Sequence, residues 1–231
     1  MAVAEEITSI KLQDMGYSFN AKLRNIFVDV NYQFQEGEIY WIRGALGMGK
    51  SSLLKLLVAL VHPTAGDLLI NGHGTRHMSF EEFLPYRLQI GYSFDFGGLV
   101  SNKTLFENLM LPLQYHEFMK DVEARAWVEE LAQRFEITKE LHSLPSTVSG
   151  GTRKATVVAR SFVMKPKVLV LDEPTVGLVE SRRSTVLKLI DEKKKSGEIS
   201  LVVMATENVA FAKKVFTKIL EIKDQKIVEI K

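Results

Sequence analysis

The 231-residue chain contains no cysteine, which excludes disulfides and thiol chemistry and is compatible with a reducing compartment. No apolar run approaches the ~20 residues that a membrane-spanning helix requires. The N-terminal stretch Met1 to Glu6 has no basic segment followed by an apolar one, so no export leader is expected. Neither sign of charge dominates: 30 basic and 28 acidic residues leave a net charge of +2, too balanced to point to a nucleic-acid surface. The run Lys193-Lys194-Lys195 reads as a solvated helix face, and the 5 histidines show no metal-ligand spacing. Internal repeats and low-complexity linkers are also missing. What remains is an ordinary globular composition, 46% hydrophobic and 25% charged, with length enough for a large core. If the protein works at a membrane, a partner must hold it there.

Hydrophobic patterning orders the elements. Ile7–Leu12 and Ile26–Phe34 read as strands, the second with Ile26, Val28, Val30, Tyr32 and Phe34 alternating as in a half-buried antiparallel pair. Glu38–Arg43 is an apolar strand and Ser52–Leu60 a helix with a buried face. Asp67–Ile70 and Leu88–Ser93 are further strands, with turns at Gly72 and Gly74 between them. From Thr104 to about Leu141 the period becomes helical, most clearly over Val122–Leu131, and a helix runs through Val157 to Met164. Val168–Leu171 and Leu201–Met204 are continuous apolar runs of the buried parallel-sheet kind, separated by a helix over Glu180–Ser196. Lys218–Ile230 closes as a hairpin around Asp224-Gln225.

Between the strand Glu38–Arg43 and its helix lies Gly44-Ala45-Leu46-Gly47-Met48-Gly49-Lys50-Ser51, with the spacing a backbone needs to wrap nucleotide phosphates. Glycines at 44, 47 and 49 allow a tight turn that aims N–H groups inward. Lys50 can reach the β- and γ-phosphates, Ser51 can ligate Mg²⁺, and the helix adds its positive dipole end. The strand Val168–Leu171 runs into Asp172 and Glu173, which puts two carboxylates at the end of a buried strand where open α/β sheets bind ligands. In that setting Asp172 joins the Mg²⁺ shell and Glu173 polarises the attacking water.

Ser149-Gly150-Gly151-Thr152 opens a helix between those two motifs; its hydroxyl, free N–H groups and helix N-terminus suit an anion. With this segment, the chain resembles the ATP-binding subunits of ABC transporters over nearly its whole length. The resemblance implies an α/β fold: a P-loop NTPase (RecA-like) core with a mixed sheet, an antiparallel β-subdomain and an inserted helical subdomain. The core takes about 1–95 and 160–231, the helical part about 96–159. It further implies ATP and Mg²⁺ as cofactors. The nucleotide is held by Gly44, Ala45, Leu46, Gly47, Met48, Gly49, Lys50, Ser51 and Ser52, with adenine stacked on Phe19 or, as the alternative, Tyr17; core packing is the competing reading for both aromatics. Ser149, Gly150, Gly151 and Thr152 face the γ-phosphate of the opposite subunit, so that two subunits sandwich two ATP molecules. The expected partners are a second ATP-binding subunit and an integral membrane permease at the inner face of the cell membrane, with no nucleic acid. Gly91–Leu113 looks most like subunits that energise Mla-type lipid trafficking. There, Phe96, Leu99 and Val100 are candidates to line a groove for the permease's coupling helix, with packing between the lobes the alternative.

Three positions depart from the family pattern, all around the γ-phosphate. Asp95 stands for glutamine, Val179 for the aspartate after Gly177-Leu178, and Thr206 for the histidine after Leu201–Met204. Asp95 retains an oxygen for Mg²⁺ but adds negative charge, with Lys50 the main compensation. Thr206 offers a short hydroxyl, and Val179 cannot hydrogen-bond. Glu173, Lys50, Asp95 and Thr206 are thus the candidate catalytic groups, and Ser51, Asp95 and Asp172 the candidate metal ligands. Two functions stay open: a transport ATPase that hydrolyses ATP and drives a permease, and a weakly hydrolysing nucleotide clamp whose closure carries the signal. A soluble protein of this family acting on ribosomes or DNA is disfavoured, since neither a duplicated domain nor a long coiled-coil insertion is present.

Overall fold

The structure, a computed structural model, describes residues 5–19 and 25–230; the expectation drawn from Met1 to Ala4 lies outside them. Near the start, β1 (Ile10–Tyr17), β2 (Phe27–Phe34), β4 (Ala65–Ile70) and β5 (His73–Gly74) form an antiparallel sheet in the order β2-β1-β4-β5. β3 (Ile39–Arg43) leads through a loop into α1 (Lys50–Leu57) and belongs to the second sheet. That sheet continues with β6 (Ile90–Ser93), β7 (Val168–Asp172), β8 (Leu201–Ala205), β9 (Lys218–Lys223) and β10 (Lys226–Ile230), in the order β10-β9-β3-β8-β7-β6. All its pairings are parallel except β9 with β10. The order of strands in the sheet thus places β3 and its loop beside β8, and β8 beside β7.

The apolar runs 168–171 and 201–204 are buried on both faces, and alternate residues serve two cores. Leu169, Leu171, Val202 and Met204 face a core shared with the helical elements, while Val168, Val170, Leu201 and Val203 pack with α1 and the antiparallel sheet. Between β6 and β7 lie α3 (Leu105–Tyr115), α4 (Asp121–Arg134) and α5 (Gly150–Arg160), which pack around Val128, Leu131, Phe135 and Phe162. Thr104 and Glu107 make a reciprocal capping box that starts α3. Its Asn108 is fully buried and holds the preceding loop, accepting from Val100 N and donating to the carbonyls of Val100, Lys103 and Thr104.

Several boundaries differ from the sequence reading. The first strand is Ile10–Tyr17, not Ile7–Leu12, because the amides of Thr8 and Ser9 bond the Asn71 side chain and that of Ile7 bonds the Gln89 side chain, rather than a ladder. In β2 the buried residues are Phe27, Val30 and Phe34, and Val28 is exposed. The expected alternation fails there because the β1–β2 register shifts twice. Asp14 and Asp29 both take positive φ, and the Asn31 amide bridges the strands to Asp14; each bulge flips the inward face. The strand expected over Leu88–Ser93, β6, starts at Ile90, and Leu88 ends an unforeseen α2 (Phe80–Arg87). Pro85 hid that helix in the sequence, while a Ser79–Glu82 capping box starts it. The helix expected through Val157 to Met164 ends at Arg160, and β8 runs one residue beyond Met204. At the C-terminal end the expected hairpin forms, with Asp224 and Gln225 both at positive φ as a type I′ turn requires.

Gly91 sits in β6 where a Cβ would overlap the Ser161 carbonyl oxygen and press on Pro166. Gly91→Ala is therefore expected to destabilise the protein by about 1–3 kcal/mol, as overpacking does, read as a lowered denaturation midpoint in urea.

Candidate nucleotide site

The C-terminal ends of β3, β7 and β8 meet at one edge of the parallel sheet, and every charged group of the candidate site hangs from that edge or packs on it. The loop after β3 turns through Gly47 and Gly49 at φ +78 and +100, and a Cβ at 49 would strike Ile26 and the Phe27 ring. Glycine is therefore needed there for both conformation and space. α1 begins at Lys50 with no side-chain cap on its free N–H groups, leaving them for an anion.

Lys50 bends back over the loop. Its Nζ donates to the carbonyl of Gly44 at 2.7 Å and contacts Glu207 Oε1 at 2.9 Å. Ser51 and Asp172 line the same cleft, which brings together two of the candidate metal ligands. Asp172 is 3% exposed; burial pushes its carboxyl above the usual range and Asp95 adds to this, while Ser51 pulls the other way. One oxygen of Asp95, Oδ1, is buried without a hydrogen-bond partner. An unpartnered carboxylate oxygen beside Asp172 and Ser51, an oxygen set suited to a hard divalent cation, together with a glycine cradle and Lys50, fits Mg-ATP.

Glu173 follows the end of β7 at φ +44, an uncommon conformation for a side-chain-bearing residue. Its amide donates to the Ala205 carbonyl at 2.9 Å. Its carboxylate accepts from the Glu207 amide at 3.0 and 3.2 Å. Burial raises its pKa; those hydrogen bonds lower it, and Asp95 and Glu207 raise it again by repulsion, with a net rise.

A cleft of about 390 Å³ joins Lys50, Ser51, Ser52, Asp95, Asp172 and Glu173 with Leu46, Gly47 and Gly49, and Phe19 stands at its mouth. Phe19 is 71% exposed, against the core-packing alternative, while Tyr17 is buried and meets it edge-on at 5.6 Å. Ser149, Gly150, Gly151 and Thr152 do not line this cleft. Ser149 caps α5, accepting from Thr152 N at 3.0 Å, and Gly151 packs so closely on the Gly177 carbonyl that a Cβ would lie 2.8 Å from it. Val179 caps α6 (Glu180–Lys195) without a side-chain bond and is exposed.

Thr206 does not line the cleft either; it is buried and accepts from Asn208 N at 3.1 Å. The side chain after β8 that faces the phosphate loop is Glu207. The strand's extra residue, Ala205, moves the following positions by one, and the sequence reading, ending the strand at Met204, passed Glu207 over. Phe96 and Leu99 line a groove of about 370 Å³ between the loop after β6 and α5, and a second groove, of about 420 Å³ between β6, α3 and α5, is lined by Arg87, Tyr92, Phe94, Pro112, Tyr115 and Arg160 among others.

A glycine phosphate loop, a buried strand ending in two carboxylates and a parallel sheet with an inserted helical lobe define a P-loop nucleotide-binding protein. Residues 27–176 match the family model described as ABC transporter, and the chain belongs to that family. It is 32% identical over 192 residues to the lipoprotein-releasing system ATP-binding protein LolD of Buchnera aphidicola, covering 82% of this chain and 83% of the relative. It is 31% identical to the methionine import ATP-binding protein MetN of Legionella pneumophila, covering 95% of this chain but only 63% of the relative. The dimeric ATP-binding cassette MJ0796, solved in a post-hydrolysis state with ADP and Pi, superposes with a TM-score of 0.86 at 26% identity over 96% of this chain and 98% of that one.

Because the Glu173 carboxyl ionises at higher pH in the folded protein than its ordinary value of 4.5, its ionisation opposes folding. That cost is absent below the ordinary value and grows as pH rises towards the folded one. Glu173→Gln is accordingly expected to melt above the wild type at neutral pH, the gap closing as pH falls below 4.5, in paired thermal scans.

Proposed function

We propose that this chain is the ATP-hydrolysing subunit of a transporter, acting as one of two cassettes beneath a membrane permease, with Glu173 as general base. The observation that carries this reading is the fixing of the Glu173 carboxylate by the Glu207 amide, which reaches both of its oxygens, beside Ser51 and Asp172 in the same cleft. Bound Mg-ATP would supply the phosphoanhydride and the charge-neutralising cation. Around it, loop N–H groups and Lys50 Nζ hold phosphate oxygens, Ser51, Asp172 and Asp95 present oxygens to the metal, and Glu173 orients a water and receives its proton on Oε. Phe19 offers a ring face to the base.

Ser149 to Thr152 lie away from their own chain's cleft, which supports a site completed by a second subunit, as the dimeric cassette neighbours suggest. The groove holding Arg87, Tyr92, Tyr115 and Arg160 is our assignment for the permease's coupling segment. Among the described residues no helix is long and apolar enough to cross a membrane, in keeping with a peripheral position at the cytoplasmic face. A lipid or lipid-linked cargo is favoured by the resemblance of 91–113 to Mla-type subunits and by LolD among the relatives; MetN relatives leave a small-molecule cargo as the alternative.

A second reading, the weakly hydrolysing clamp, is favoured by one contact: Glu207 places a carboxylate on the lysine that is to meet the γ-phosphate. Steady-state hydrolysis by the purified protein, alone and with its permease, separates the two. The motor reading predicts turnover that falls by ~10²–10⁴-fold in Glu173→Gln, the range of a lost general base, and ATP binding that is lost in Lys50→Ala. Binding without turnover above the Glu173→Gln level in either setting leaves the clamp.

A further inference from the structure

Lys154 lies on α5, whose N-cap is Ser149, and is 7% exposed. Its Nζ meets three backbone carbonyls: Phe94 at 2.8 Å, Asp95 at 3.0 Å and Asp172 at 3.2 Å. An ammonium has three protons to donate, so this tripod uses them all. The Asp95 carboxylate stands 3.9 Å from the same nitrogen, close enough for strong attraction where water is scarce yet left without a proton from it, in agreement with the unpartnered Asp95 Oδ1. Burial lowers the Lys154 pKa, while Asp95, Asp172 and Glu173 hold it up. One amine thus ties the loop after β6, the end of β7 and the helix that begins at Ser149.

We propose that Lys154 is the positioning residue for the metal end of the nucleotide site: it anchors the backbone of Asp95 and Asp172 and balances the charge of Asp95, so that the Asp95 carboxylate is held at the cleft it lines with Ser51 and Asp172. The assignment rests on the nucleotide-binding reading above. It replaces Lys50 as the main compensation for Asp95, since Lys50 is engaged with Gly44 and Glu207, and it explains how a carboxylate is tolerated beside Asp172. It also joins α5, whose first turn is assigned to the opposite subunit's nucleotide, to the metal ligands of its own subunit.

The test is ATP binding measured with Mg²⁺ and in EDTA for wild type, Lys154→Met, Asp95→Gln and the double variant. Lys154→Met is expected to weaken Mg²⁺-supported binding by ~10–100-fold, the usual effect of losing a group that orients metal ligands, to leave binding in EDTA unchanged, and to regain most of the loss when Asp95→Gln is added. Equal losses with and without Mg²⁺, or no recovery in the double variant, overturn the proposal and reduce Lys154 to a packing role. Lys154→Gln, judged by the same criteria, serves if the methionine variant does not fold. Should the wild type bind no Mg-ATP, it is the nucleotide reading that fails, and the melting temperatures of the same four proteins then decide about Lys154: non-additive shifts support the tie to Asp95, and additive shifts overturn it.

Discussion

Four carboxylates, of Asp95, Asp172, Glu173 and Glu207, gather at one edge of a parallel sheet, the first three buried or half-buried and Glu207 exposed, and the surrounding structure answers the problem of holding that charge together. Buried unpaired charge is costly, and removing one partner costs more than the pair itself contributes. Two lysines meet the demand from opposite sides. Lys50 comes from the phosphate loop and sits against Glu207, while Lys154 comes from the helical lobe and sits against Asp95. The Glu207 amide holds the Glu173 carboxylate, and the Ser51 and Thr206 hydroxyls ease the charge on Asp172 and Glu173. A polyphosphate brings further negative charge into this ring, so a divalent cation is as much a requirement of the site as the nucleotide.

Lys154 and the Gly151–Gly177 contact make the helical lobe part of the site rather than a neighbour of it. The start of α5 bears on the 175–178 segment just beyond Glu173 through Gly151, and three residues later the same helix reaches the backbone of two of the metal-ligand candidates, Asp95 and Asp172. Displacement of α5 therefore cannot leave the carboxylates where they are. That coupling is a direct consequence of inserting the lobe between β6 and β7, the strands that end at Asp95's loop and at Asp172.

Much of the fold could be read from local pattern because local physics dominates there. Continuous apolar runs at 168–171 and 201–204 can only be strands covered on both faces, a glycine loop between strand and helix has few other uses, and Asp224-Gln225 tolerates the positive φ a tight hairpin demands. Misreadings arose where a specific partner, distant or local, overrode the pattern. Asn71 and Gln89 captured the amides of Ile7 to Ser9, paired bulges at Asp14 and Asp29 turned Val28 outward, and a capping box carried α2 past Pro85. One additional residue in β8 was enough to move attention from Glu207 to Thr206.

The sequence by itself determined the chemistry available: a phosphate loop, an oxygen set for a hard cation, a base at a strand end, an anion-binding helix start, and the family they belong to. Residue type and short spacing suffice for these, since each depends on neighbours within one turn or one strand. Only the tertiary structure decided which charges face one another. That Lys154 rather than Lys50 stands against Asp95, that Glu207 rather than Thr206 reaches the phosphate lysine, and that Phe19 is free while Tyr17 is buried follow from strand order and lobe insertion. Electrostatic partnership falls off over a few ångströms of space, and separation along the chain says nothing about it.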